Sequence, residues 1–328
     1  MRVALVAGGP SSEAEVSRAS ARGVAQALQT AGHDVHVFEL MDSLPIELAG
    51  YKPEVVFPVT HGALGEDGCL QGLLEVLDLP YVGSGVLASA LAADKTAAKA
   101  AFSAHGLPLA TSTSLRHLPA EAELPDELVR LRAMLGAAFV VKPAGGGSAI
   151  GVSVLGEEAG PDDLAAALRT VFDMDAVALV ETFWRGNEVT CGVLEDAAGD
   201  PKALPPTLIR ARAAGWYDFK SKYGSGGSEH VCPAPFDDAL KRRLQQTAVA
   251  AHRALGARDL SRTDFIVRED GEFIVLELNS LPGMTKTSLF PEAAAVSGIP
   301  FPALCDRLVR KAAARPRRRA LRGVPLPE

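Results

Sequence analysis

Arg262-Thr-Asp-Phe-Ile-Val-Arg-Glu-Asp-Gly-Glu-Phe-Ile-Val-Leu-Glu-Leu-Asn279 sets two apolar runs on either side of Asp270-Gly271, a strong short-range signal for an antiparallel hairpin closed by a two-residue turn. Such a turn sets the register. Pairing Glu269 with Glu272 brings Asp264 opposite Glu277 and Arg262 opposite Asn279, and the period of two puts these four side chains on one face. Phe265, Val267, Leu276 and Leu278 then take the other face. Opposed carboxylates repel, and a hard cation with oxygen ligands removes the conflict, Mg²⁺ bridging phosphate oxygens being the usual case. Asp264, Glu277 and Asn279 are therefore the candidate metal ligands. Taken alone, the same residues also suit ordinary solvent-facing positions on a half-buried sheet.

Outward from the hairpin, Val140-Val-Lys-Pro-Ala-Gly-Gly-Gly-Ser-Ala-Ile-Gly151 places Lys142 at a strand end and follows it with Gly145, Gly146, Gly147 and Ser148. Small residues let backbone N–H groups approach an anion, and lysine adds a point charge, so the segment suits phosphate. It lacks the GK[ST] ending of a Walker A loop, and a simple chain reversal fits it as well. Residues 177–188 form an apolar strand that ends in Glu181, passes Phe183 and reaches Glu188. That edge could hold adenine by backbone hydrogen bonds with Glu188 on the ribose, or it could be a strand and a surface turn.

Nearer the start, strands at 3–7, 34–38, 55–59 and 80–82 alternate with helices at 14–28 and 70–77, the pattern of a parallel α/β sheet. Glu13 and His61 each follow one of these strands, where the carboxyl ends of a parallel sheet form a ligand crevice. A lone histidine there serves equally as a structural hydrogen-bonder. A helix at 95–105 and strands at 139–143, 150–155 and 177–180 make a second region. A third contains a Gly/Ser-rich stretch at 223–228, read as a mobile loop, and the hairpin. The expected domains are 1–93, 94–183 and 184–328.

At 328 residues the chain exceeds the roughly 100 to 200 of one domain, so two or three domains sharing a cleft are expected. Hydrophobic residues make up 48% of it, yet no apolar run approaches the roughly 20 residues of a membrane span. The start, MRVALVAGG, is unlike a signal peptide, and a soluble cytoplasmic protein that does not bind membranes is expected. Cys69, Cys191, Cys232 and Cys305 are widely spaced and suggest free thiols. A net charge of −7 argues against nucleic acid as a partner. The basic tail from Arg307 to Arg322 reads most simply as solvated.

Six segments in order extend these readings: GGPSSEAEVS at 8–17, HGALGEDGCLQG at 61–72, YVGSGVLASALAADK ending at Lys95, VKPAGGGSAIG at 141–151, WYDFKSKY ending at Tyr223, and LELNSLPGMTKTSLFP ending at Pro291. Together they closely resemble the D-alanine:D-alanine ligases of the ATP-grasp superfamily. The resemblance implies a three-domain α/β ATP-grasp fold, α+β in its ATP-binding part, with an N-terminal open parallel sheet. It implies ATP between the second and third domains, two D-alanine molecules where all three meet, Mg²⁺ (or Mn²⁺ in its place), and a homodimer. A monovalent-cation requirement stays open.

Carried over residue by residue, Lys95 and Lys142 would contact phosphates, with Gly147 and Lys222 also in the ATP site. Glu181 and Phe183 would meet the adenine edge and Glu188 the ribose. Glu13 would bind the ammonium of the first D-alanine with His61 nearby, while Ser288 and Leu289 would receive the second. Arg262 and the Gly283 N–H would face the oxyanion, and Tyr223 would join Ser148 and Glu13 in a hydrogen-bonded set. The family's acidic residue and paired serines in the glycine-rich loop are here Gly146, Ser148 and Ala149. Ligases for D-lactate or D-serine, and a nucleotide-binding sensor without turnover, are the alternatives.

Overall fold

The computed structural model describes residues 1–11, 13–211 and 228–316. Lys222 and Tyr223 lie outside the described residues. The chain opens with β1 (Arg2–Ala7), α1 (Ala14–Thr30), β2 (Asp34–Glu39), α2 (Leu44–Tyr51), β3 (Val55–Pro58) and α3 (Cys69–Val76). The three strands form a parallel sheet in the order β2-β1-β3. In α1, Ser17, Ser20, Ala21, Val24, Ala27 and Leu28 are buried, the three-and-four spacing of a helix that covers a sheet. The strand expected at 80–82 is a single parallel bridge from Tyr81 to Val56; Pro80 leaves only two backbone hydrogen bonds there, Val56 N–H to the Pro80 carbonyl and Val82 N–H to the Val56 carbonyl.

Next come α4 (Val86–Ala93), α5 (Lys95–Ala104), β4 (Ser112–Leu115), α6 (Leu124–Leu135), β5 (Phe139–Pro143), β6 (Ser153–Leu155), α7 (Pro161–Phe172) and β7 (Ala178–Thr182). The strands make an antiparallel sheet, β4-β7-β5-β6, and α6 and α7 pack on it through Leu128, Leu131, Leu164, Leu168 and Val171. Strand β6 begins three residues later than the sequence suggested. Ser148, Ala149 and Gly151 all have positive φ, a left-handed path that no strand can follow.

The remaining elements are β8 (Asn187–Glu195), β9 (Pro201–Ala203), β10 (Thr207–Ala211), β11 (Ser228–Val231), α8 (Asp238–Ala254), β12 (Leu260–Val267), β13 (Phe273–Asn279), α9 (Leu289–Val296) and α10 (Phe301–Ala313). Their sheet runs β11-β10-β8-β12-β13 with β9 beside β8. Phe102 of α5 and Leu244, Ala248 and Ala251 of α8 are buried against Phe265, Val267, Phe273 and Val275 of this sheet. Helix α10 instead returns to the first sheet, where Leu304, Cys305, Leu308, Val309 and Ala312 join Val3, Leu5, Val24 and Leu28 in one core. Among the described residues no helix is long and apolar enough to cross a membrane.

The hairpin keeps the expected functional pairs by an unexpected route. Arg262 does pair with Asn279 and Asp264 with Glu277, but closer to the turn Phe265 pairs with Val275 and Val267 with Phe273. Arg268 N–H bonds the Glu272 carbonyl and Gly271 has φ 82°, so three residues close the turn with glycine in the left-handed position. A bulge at Leu276 then restores the register that the longer turn had shifted. Leu276 therefore lines the same cleft as Glu277, not the opposite face.

Candidate functional site

A cleft of about 810 Å³ lies between the second and third sheets, lined by residues that include Lys95, Lys142, Gly147, Glu181, Glu188 and Glu277. Its apolar wall includes Ile209, Ile266, Ile274, Leu276 and Phe183. Lys95 is the first residue of α5, whose Asp94 cap accepts from the N–H groups of Thr96 and Ala97. The Lys95 ammonium donates to the Gly146 carbonyl at 2.6 Å and lies 3.4 Å from Glu277 Oε2. It thus bridges the glycine-rich loop and the hairpin.

Behind that loop, Glu181 is 3% exposed and ion-paired with both Lys142 and Lys99. Burial alone would raise the Glu181 carboxyl; Lys142 and Lys99 together hold it below the usual carboxylate range. Burial lowers Lys99. The side chain of Glu181 is thus the counter-ion of two lysines. The Phe183 N–H donates to the Ala138 carbonyl at 3.2 Å and closes the sheet, while the residue itself lines the cleft. Lys99 was not singled out from sequence, although Lys95 and Lys99 are four apart on one helix and so share a face. Asp175, which accepts from Gly145 N–H at 2.6 Å and anchors the start of the loop, gave no sequence signal.

On the hairpin face, Asp264 Oδ1 accepts from Thr190 Oγ1 at 2.6 Å and from Arg262 Nε at 2.8 Å. Its Oδ2 accepts from an Arg262 terminal nitrogen at 2.8 Å and from Asn279 Nδ2 at 3.1 Å. Each opposed carboxylate has its own cation, Arg262 for Asp264 and Lys95 for Glu277. Among the described residues no cluster of three or more His, Cys, Asp or Glu side chains is gathered for a metal. The candidate set is two carboxylates and an amide, each with a hard oxygen of the kind a divalent cation takes, and in the structure Arg262 and Lys95 supply the positive charge that the sequence alone assigns to a metal ion.

Glu13 and His61 stand at the carboxyl ends of β1 and β3, both 8% exposed. Ser148 Oγ donates to Glu13 Oε1 at 2.5 Å, tying the glycine-rich loop to the first sheet. A Cβ on Gly62 or on Gly147 would lie 3.6 Å from Glu13 Oε2, so both chains pass close to that carboxylate. Buried His61 Nε2 has no hydrogen-bond partner among the described residues, and its Nδ1 is 3.9 Å from Glu66. An orphaned polar atom of this kind suits a ligand. A Cβ on Gly283 would come within 3.1 Å of Ser288 Oγ, which accepts from Thr285 N–H at 3.1 Å. Leu289 packs on Ile209 of the cleft wall. Ser148 and Glu13 are thus brought together, while the third proposed member of their set, Tyr223, lies outside the described residues.

A family model described as D-ala D-ala ligase C-terminus matches residues 101–310, and one described as D-ala D-ala ligase N-terminus matches residues 41–84. A D-alanine–D-alanine ligase of Jannaschia sp. is 44% identical over 321 residues, covering 95% of this chain and 96% of the relative. One from Acidiphilium cryptum is also 44% identical, with 96% and 99% covered. Among solved structures, a D-alanine–D-alanine ligase from Bacillus anthracis complexed with ATP superposes with a TM-score of 0.79 at 29% identity, covering 95% of this chain and 97% of that one. The enzyme from Coxiella burnetii gives 0.78 at 26% identity, with 95% and 94% covered.

Proposed function

Because this chain belongs to the D-alanine:D-alanine ligase family, with the ATP-grasp fold of its structural neighbours, we propose that it joins two D-alanine molecules with ATP hydrolysis to ADP and phosphate. The observation that carries the reading is the Ser148–Glu13 hydrogen bond, which joins the glycine-rich loop of a lysine-lined cleft to a buried carboxylate of the first domain. A nucleotide in the cleft and an amino acid beside Glu13 and His61 would meet at the glycine-rich loop.

In the proposed reaction the γ-phosphoryl passes to the carboxylate of the first D-alanine. The amine of the second attacks the acyl phosphate, and phosphate leaves. Lys95 and Lys142 offset phosphate charge, and the Glu13 carboxylate holds the first ammonium. Arg262 and the Gly283 N–H supply the preorganised donors for the carbonyl oxygen, a kind of term worth roughly 3 to 4 kcal/mol per donor. In the structure Arg262 holds Asp264 through Nε and one terminal nitrogen, and its other terminal nitrogen is the donor proposed for the carbonyl oxygen. Asp264, Glu277 and Asn279 would hold Mg²⁺, with Mn²⁺ as its substitute, and the ion would offset polyphosphate charge when bound. Ser288 and Leu289 take the second D-alanine, and Gly147, Glu181, Phe183, Glu188 and Lys222 complete the ATP site.

Division into 1–93, 94–183 and 184–328, a cytoplasmic location and a homodimer complete the proposal; sedimentation of the purified protein tests the last. The experiment for the activity is phosphate release from ATP with D-alanine as the sole amino acid, with the product identified by mass. Release that depends on D-alanine and yields the dipeptide is expected. Nucleotide binding without release would favour a sensor, and ester in preference to dipeptide when D-lactate is added would favour the alternative ligase.

A further inference from the structure

Helix α10 carries Arg307 and Lys311 four residues apart, and Arg315 follows at the same spacing just past its end. From its seat on the first sheet the helix sends all three side chains toward the third sheet, at the end of β8 and the start of β12. Arg307 donates to the Glu195 carbonyl at 2.7 Å, and Lys311 donates to Glu195 Oε2 at 2.6 Å and to the Asp196 carbonyl at 2.9 Å. Arg315 donates to the Tyr81 carbonyl at 2.8 Å and ion-pairs with Asp259. The opposite face of α10 is buried in the core of the first sheet. What the sequence suggested as a solvated tail is, as far as Arg315, a fastening between two domains.

Asp259 is its centre. It is 1% exposed and holds a left-handed φ of 64°, which few residues other than Gly, Asn and Asp adopt readily. Its Oδ2 accepts from Gly83 N–H at 2.8 Å, and its Oδ1 has no hydrogen-bond partner among the described residues. Burial raises the Asp259 carboxyl against the pull of Arg315. The neighbouring Arg258 returns the contact, Nε donating to the Gly83 carbonyl at 2.7 Å, N–H to Ser84 Oγ at 3.3 Å, and the guanidinium lying 4.8 Å from the Tyr81 ring centre. The 83–84 segment and the 258–259 segment therefore grip each other, and Arg315 closes the grip from the side. Arg262 is three residues beyond Asp259 on β12, whereas Glu13 and His61 belong to the domain that carries Gly83. Among the described residues, none before Lys95 lines the nucleotide cleft.

We propose that Arg315, acting through Asp259, is a positioning residue that sets the distance between Arg262 and the buried Glu13 and His61 side chains and thereby the fit of the first D-alanine. The inference rests on the ligase reading above. Its test uses the full chain with Arg315→Ala, Arg315→Lys, and the double variant Arg315→Ala/Asp259→Asn. Asn tolerates the left-handed backbone and leaves no stranded buried charge. The readouts are phosphate release against D-alanine concentration, affinity for a non-hydrolysable ATP analogue, and thermal unfolding.

Arg315→Ala should raise the KM for the first D-alanine about fivefold to tenfold and leave nucleotide affinity within about twofold. Arg315→Lys, with one ammonium for two acceptors, should fall between. The double variant should regain melting temperature but not KM. An unchanged KM in Arg315→Ala, or KM and stability recovering together in the double variant, overturns the positioning role. If Arg315→Ala does not fold, the double variant decides the matter, and a wild-type KM in it overturns the inference. No phosphate release by the native protein would instead sink the ligase reading itself, and the inference with it.

Discussion

Replacing Glu181 by Gln strips the shared counter-ion from two lysines at once. Lys99 and Lys142 are 6% and 8% exposed, so neither can turn to water for compensation. Lys99, already lowered by burial, would give up its proton rather than stay charged without a partner. Removing one partner from a buried ion pair costs about 3 to 5 kcal/mol, which at about 2 °C per kcal/mol for a chain this long lowers the melting temperature by about 6 to 10 °C. Lys142→Ala should behave differently, because Glu181 keeps Lys99 and the pair stays neutral. Its cost is expected near 1 to 2 kcal/mol, about 2 to 4 °C. What it loses is the charge offered to phosphate, worth about 10- to 100-fold in nucleotide affinity. Calorimetric melting and titration with a non-hydrolysable ATP analogue, run on both variants, separate the two effects. If Lys142→Ala loses as much stability as Glu181→Gln and binds nucleotide normally, Lys142 is a structural lysine and its phosphate role is wrong.

Glu277→Gln should fold, with a melting temperature within about 3 °C of native because Lys95 keeps its bond to Gly146, yet lose turnover by about a hundredfold or more; near-normal turnover at limiting Mg²⁺ would remove Glu277 from the metal set. Tyr223→Phe removes the phenol proposed to bond Ser148 and Glu13, and with it the polarity an incoming nucleophile would meet, so it should gain D-lactate ligation at some cost to dipeptide; product analysis with both nucleophiles present checks this, and an unchanged product ratio would show that Tyr223 does not set the choice of nucleophile. Glu195 supplies the pH test. Burial alone would raise its carboxyl, but bonds from His252, Lys311 and the backbone bring it down from 4.5 to about 2. A depressed carboxyl stabilises the fold fully above its ordinary value and loses that contribution as pH falls toward 2. Native stability should therefore drop between pH 4.5 and about 2, and the gap between native and Glu195→Gln in chemical unfolding should narrow across that window. A constant gap would refute the assignment.

Where a property is local, the residues announce it. Ala14 to Thr30 shows its helical period, and the two strands of the hairpin are visible around Asp270-Gly271. The hairpin also marks the limit of local reading. A two-residue turn and a regular strand lead to the right partners for Asp264 and Arg262, but the molecule uses three turn residues and a bulge, two departures of opposite sign. Nothing in Val275-Leu276-Glu277 distinguishes a bulged strand from a flat one, because bulges answer to twist and packing against neighbours. The same holds for long-range polar partners. Glu181 acquires Lys99 and Lys142 from separate elements, and the helix carrying Arg307 and Lys311 meets Glu195 only after the chain has returned to the first sheet. Their spacing was readable; what they face was not.

The bulge also predicts how the hairpin tolerates lost residues. Val275 already pairs with Phe265 and Glu277 with Asp264, so Leu276 stands between two settled rungs of the ladder. A deletion scan should find that excising Leu276 closes the strand into a regular one with every paired side chain still on its own face. Excising Ile274 should instead draw Leu276 into the ladder opposite Phe265 and Val275 opposite Ile266, so that Val275 and Leu276 each exchange inside for outside while Phe273 and Glu277 keep their partners. Leu276 is thus a spare frame in the reading of that strand, kept for the apolar surface it presents to the cleft and not for the pairing that brings Glu277 to Asp264.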